Sequence, residues 1–128
     1  MVLSVDKTSQ EPIYLQIRVQ IIEAIARGEL VEGDTLPSVR NLARDLGINL
    51  HTANKAYAVL QDEGYVTVCG RKGTTISVPT TQDDVRLTQA QQRALTALQR
   101  AAAEYKACGG TNESFIELAQ QALIEGEE

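Results

Sequence analysis

Within five consecutive positions the chain carries His51, Thr52, Asn54 and Lys55, short or basic side chains able to hydrogen-bond a base edge or meet a phosphate. Such a row on a surface helix is ordinarily a solvated face, so its neighbours decide its meaning. Asn49 stands just before it as a natural helix cap, which places the row at a helix amino terminus, the end that favours an anion. Upstream lies Ser38-Val39-Arg40, and downstream a hairpin pattern turns on Arg71-Lys72-Gly73. Cations at a hairpin tip can merely keep a sheet edge soluble. Beside a reading helix they are placed to rest on a sugar-phosphate backbone.

Other chemistries lack their parts. The sequence shows no paired catalytic carboxylates, no nucleophile beside a base, no phosphate loop and no His/Cys/Asp ligand cluster, and His51 is its single histidine. We therefore expect no enzyme, no metal and no cofactor. Cys69 and Cys108 fall in different elements without metal-ligand spacing and are expected to be free thiols. A redox role for Cys69 would need a lowered thiol pKa, which sequence does not reveal.

The elements that must hold the row can be read residue by residue. Pro37 blocks a helix running through from upstream, and Ser38 offers an oxygen to a first turn. Val39, Leu42, Ala43 and Leu46 recur at helical spacing until Gly47. Asn49 then opens a second helix with an inner face of Ala53, Ala56, Tyr57 and Leu60 and a stop at Gly64. Tyr65–Val68 and Thr74–Val78 favour strands around a turn at 69–73. An earlier helix takes Pro12 into its first turn, buries Ile13, Ile17, Ile21 and Ala24 or Ile25, and ends at Gly28. Tyr14 is read as packing, and Leu36 as a short strand added to the hairpin.

After a polar link at Pro79–Asp84 comes a different unit. Leu87, Ala90, Ala94, Leu95, Leu98, Ala101, Ala102 and Tyr105 trace one face of a long helix that ends at Gly109 and Gly110. A shorter helix, capped by Asn112 or Ser114 with Ser114 and Glu117 as a capping box, carries Phe115, Ile116, Ala119 and Leu123. Two helices of this size cannot bury both faces alone. Packing against a second copy is expected, with Leu87, Ala94, Leu95, Leu98, Ala102, Tyr105, Phe115, Ile116, Ala119 and Leu123 as the dimerisation residues.

The fold class expected is thus mainly α with a small β-wing: a winged helix-turn-helix over 1–79, then a two-helix antiparallel dimerisation domain over 80–128. The net charge of −5 looks unfavourable for a polyanion partner until it is divided. Residues 1–79 hold eight Lys or Arg against nine Asp or Glu, whereas 80–128 hold four against eight. Within 36–78 five basic residues face three acidic ones, so the positive excess lies on the helix-turn-helix and hairpin. No apolar run of about 18 residues and no signal-peptide stretch occurs, so the expectation is a cytoplasmic protein without a membrane partner.

PIYLQI, GELVEGDTLPSVRNLARDLGIN, HTANKAYAVLQDEGYV and RKGTTI, in that order over about residues 10 to 79, resemble the amino-terminal domain of GntR-family bacterial transcription regulators. The resemblance implies double-stranded DNA as partner. It implies DNA contacts by Arg40, by Asn49, His51, Thr52 and Asn54, and by the wing tip at Arg71, Lys72 and Gly73; Ser38 and Lys55 complete the expected set. The chain departs from the family pattern at Leu50, where Pro or Arg is frequent, and at the wing, whose Gly-x-Gly-Thr is replaced by Arg71-Lys72-Gly73-Thr74 with the other glycine at Gly70. A tail of about fifty residues is similar to that of the YtrA subfamily, which implies a homodimeric repressor on an inverted-repeat operator. The alternatives are a winged-helix protein-interaction module and an architectural DNA binder without operator preference. A small-molecule effector, if one acts, is expected in an apolar gap near the helix Leu87–Tyr105.

Overall fold

The computed structural model describes residues 2–69, 73–77 and 84–125. The chain divides into two compact units, Met1–Val78 and Pro79–Glu128.

In the first unit the chain forms α1 (Ile13–Ala26), β1 (Thr35–Leu36), α2 (Val39–Leu46), α3 (Leu50–Asp62), β2 (Val66–Val68) and β3 (Thr74–Ile76). Pro12 is the residue before α1 rather than part of its first turn, and its carbonyl accepts from the Leu15 and Gln16 amides. Ser38 Oγ accepts from the Asn41 amide at 3.2 Å to start α2, and Gly47, at φ 65°, ends it in the left-handed conformation that spares glycine a Cβ clash. Asn49 Oδ1 accepts from the His51 amide at 2.7 Å, so α3 begins two residues after α2 has turned. The helix-turn-helix is thus cut out by three local devices.

The strands order as β1-β3-β2, antiparallel, with Leu36 opposite Thr74 and Val66 opposite Ile76. This register turns Leu36, Val66, Thr74 and Ile76 to the interior. There they meet Ile17, Ile21 and Ala24 of α1, Leu42 and Ala43 of α2, and Ala53, Ala56, Tyr57 and Leu60 of α3. Leu3 and Val5 pack on the same core from the amino-terminal segment, which Gln20 and Gln16 fasten through hydrogen bonds to Ser4 and Asp6. Arg18 makes a paired contact with Glu63, Nε to Oε1 at 2.6 Å and Nη2 to Oε2 at 2.7 Å, tying α1 to the end of α3. The carboxylate raises the Arg18 pKa above its ordinary value, and the fork geometry adds direction to the charge.

In the second unit α4 spans Asp84–Ala107 and α5 spans Asn112–Glu125. Gly109, at φ 103°, starts the turn between them. A Cβ on Gly110 would collide with the Tyr105 ring. Gly110→Ala is therefore expected to lower the thermal midpoint of the tail by displacing Tyr105, at a cost of about 1–3 kcal/mol; an unchanged melting curve would show that the ring gives way freely. The capping box differs from the sequence expectation. Thr111, not Asn112 or Ser114, caps α5: its Oγ1 accepts from the Ser114 amide and Ser114 Oγ accepts from the Thr111 amide, both at 3.1 Å. Ser114 therefore sits three residues inside the cap, where it also receives the Tyr105 hydroxyl at 2.8 Å.

Tyr105 and Phe115, with ring centres 6.0 Å apart, bring the two helices together at the turn. Farther out, the apolar side chains are uncovered within the single chain. Leu87 is 60% exposed, Leu95 and Leu98 49%, Ile116 57% and Leu123 69%. Ala94 is exposed, while Ala102, Tyr105, Phe115 and Ala119 are half-buried. Leu118, which the sequence reading left out of the apolar stripe, is exposed as well.

Candidate nucleic-acid interface

The start of α3 is an open surface. Ala53 is fully buried and faces the core, which turns His51, Asn54 and Lys55 into solvent, with Thr52 half-buried beside them. Leu50 is 47% exposed on the same turn. Arg40 stands exposed in the first turn of α2. Two of the expected DNA-binding residues already have structural work. The Ser38 oxygen caps α2 and Asn49 Oδ1 caps α3, which leaves a hydroxyl proton on the first and an amide NH₂ on the second to offer a ligand. Arg44, on the outer face of α2, donates to Asn41 Oδ1 at 2.9 Å and lies 3.8 Å from Asp45.

At the wing, the Cys69 amide donates to the Gly73 carbonyl at 2.8 Å, and Gly73 has φ 86°. The hairpin closes there. Arg71 and Lys72 lie outside the described residues. Cys69 and Cys108 are free and exposed. No group of three or more His, Cys, Asp or Glu side chains that could hold a metal occurs among the described residues, and no described helix is long and apolar enough to cross a membrane.

Three long-range contacts hold this surface in shape. Tyr57, on the buried face of α3, donates its hydroxyl to the Pro37 carbonyl at 2.7 Å, joining α3 to the residue before the α2 cap. Burial pushes its phenol well above the ordinary tyrosine value. Lys7 Nζ donates to the Gly47 carbonyl at 2.7 Å, placing a cation at the carboxyl end of α2, where the helix dipole favours one. Lys55 Nζ stands 4.2 Å from the centre of the Tyr14 ring. No local sequence signal marks any of them, because their partners are 20 to 41 positions apart and meet only in the fold.

Three helices with a paired helix-turn-helix and a small antiparallel sheet behind it define a winged helix-turn-helix. Residues 13–76 match the family of bacterial regulatory proteins described as the gntR family. The chain belongs to the GntR family. It is 40% identical over 75 residues to an HTH-type transcriptional regulator of Mycobacterium tuberculosis, covering 59% of this chain and 62% of that one. It is 41% identical over 75 residues to the HTH-type transcriptional repressor YtrA of Bacillus subtilis, covering 59% and 58%. The chain thus spans about three-fifths of the length of these curated relatives. Among solved structures, a transcriptional antiterminator from Listeria monocytogenes superposes with a TM-score of 0.87 at 28% identity, covering 100% of this chain and 94% of that one.

Proposed function

We propose that the protein is a homodimeric transcriptional repressor whose two α3 helices enter successive major grooves of an inverted-repeat operator. The observation that carries this reading is the row His51, Thr52, Asn54 and Lys55, outward-facing at the capped start of a helix that is anchored from behind. A helix amino terminus in that position brings free amides and short polar groups to base edges and phosphates together. Repression rather than activation is the reading favoured by similarity to the YtrA repressor. The uncovered leucines of α4 and α5 supply the surface for a second copy. An effector, if one acts, would shift the spacing of the two reading heads through this tail. A depression on α4 is lined by Gln92, Arg93, Thr96, Ala97 and Arg100, with no leucine or aromatic side chain in its wall.

Positioning and reading separate experimentally. Arg71→Ala or Lys72→Ala is expected to weaken binding to all duplexes alike and to lower the slope of log affinity against log salt by about one per lost phosphate contact. Thr52→Ala or Asn54→Ala should instead change which bases are preferred, at a cost of about 1–3 kcal/mol on the best site. Selection of bound fragments from genomic DNA by the purified protein and by each variant reads both effects. Identical selected sequences from wild type and both α3 variants would remove Thr52 and Asn54 as readers, and selection of no common sequence would remove the operator.

A further inference from the structure

Lys55 is the one cation in the exposed row, and it is not loose. A lysine stem has four rotatable bonds, and an unrestrained ammonium spreads over many positions. Here the ammonium stands over the face of the Tyr14 ring, whose quadrupole attracts a cation. Tyr14 is itself half-buried against the core in the first turn of α1, so the platform is fixed by packing. Ring and lysine come from helices 41 positions apart in sequence.

We propose that Tyr14 is a positioning residue for DNA binding, its ring holding the Lys55 ammonium ready for a backbone phosphate beside the first turn of α3. The inference rests on the reading of α3 as the DNA-facing helix. One side of the ammonium lies on the ring, and its remaining N–H bonds are left for a phosphate oxygen. Holding the side chain in advance removes part of the ordering cost that a free lysine would meet on binding. Because the ring contact is present before binding, it raises affinity only through the ordering cost it saves, about two- to fivefold.

The test uses the full chain and mixed-sequence duplex DNA, titrated over a salt series, with Tyr14→Phe, Tyr14→Leu, Lys55→Met and the double variant Tyr14→Leu/Lys55→Met. Tyr14→Phe keeps the ring and is expected to bind as wild type. Tyr14→Leu should bind about two- to fivefold more weakly. Lys55→Met should lose at least as much and lower the salt slope by about one. The double variant should bind no more weakly than Lys55→Met. Losses that add in the double variant, or an unaffected Tyr14→Leu, would overturn the proposal; so would a Tyr14→Phe as weak as Tyr14→Leu, which would put the hydroxyl rather than the ring to use.

Proton spectra of the free protein give a readout independent of DNA. The ε-methylene of Lys55 should lie upfield in wild type and Tyr14→Phe and return to its ordinary position in Tyr14→Leu. Should Tyr14→Leu fail to fold, the wild-type shift and the Tyr14→Phe titration still decide. Duplex binding without the shift overturns the role of Tyr14 alone, whereas the shift without salt-dependent duplex binding overturns the DNA reading beneath it.

Discussion

Leu98→Glu is expected to give a folded protein that no longer pairs. Leu98 is 49% exposed in the single chain, so a carboxylate there costs the monomer little. Between two copies it would have to be buried. An unpaired charge carried into an apolar contact costs several kcal/mol, and the buried area of the leucine is lost as well. The long helix α4, at about 1.5 Å per residue, offers a seam long enough for a stable two-chain contact, and Leu98 lies near its middle. Sedimentation at micromolar concentration should therefore show wild-type dimer and variant monomer, with equal helix content by circular dichroism. Two linked reading heads gain affinity because the second engagement is intramolecular, so binding to the full inverted repeat should fall by about 10²–10⁴-fold while binding to one half-site stays unchanged. A variant that remains dimeric would move the contact away from this face of α4, and equal affinities of wild type for whole and half sites would end the paired-head mechanism.

Leu60→Ala should act on the other unit and through stability. Leu60 is fully buried on α3, and its carbonyl receives the Tyr65 amide at 2.8 Å as the chain leaves the helix for β2. Truncation leaves a cavity where α3 meets the core. The expected loss is about 2–5 kcal/mol, a large fraction of what a unit of this size has in reserve. A domain this small shifts its melting midpoint by roughly 4–8 °C for each kcal/mol. Leu50→Ala, at the exposed first residue of the same helix, should change the midpoint far less and serves as the control. DNA affinity in Leu60→Ala should fall with the folded fraction and recover at low temperature. A melting midpoint equal to that of Leu50→Ala would contradict the packing described for α3.

The local punctuation of the winged unit was legible because each device is complete within a few residues. Ser38, Gly47, Asn49 and Gly64 act on their own helix ends, whereas Leu36 lies in a two-residue strand that takes its place by pairing with β3. The tail cap lies at Thr111, ahead of the Asn112 or Ser114 that the sequence suggests. Both Thr111–Ser114 and Ser114–Glu117 have the spacing of a capping box, and what selects the first is the left-handed Gly109 and the packing of Gly110 under Tyr105. Tyr14 was legible only as an apolar ring, since its partner Lys55 reaches it by the crossing of α1 and α3. The Arg18–Glu63 pair, 45 positions apart, has the same cause. Leu118 escaped the apolar stripe because α5 carries leucines and isoleucine on more than one face, a pattern that a single stripe does not describe.

The hydroxyl of Tyr57 gives the join between α3 and the segment before α2 a proton linkage of its own. Only the neutral phenol can donate to the Pro37 carbonyl, and burial raises its pKa above the ordinary value of 10.0. A folded-state pKa raised above the unfolded one means that the tie is whole below the unfolded value and is surrendered only as pH climbs toward the folded one. Across neutral and mildly alkaline solution this hydrogen bond therefore stays intact. Losing the phenolic proton would set a buried phenolate against a carbonyl oxygen, so in strong alkali deprotonation and loss of the tie between α3 and Pro37 become one event.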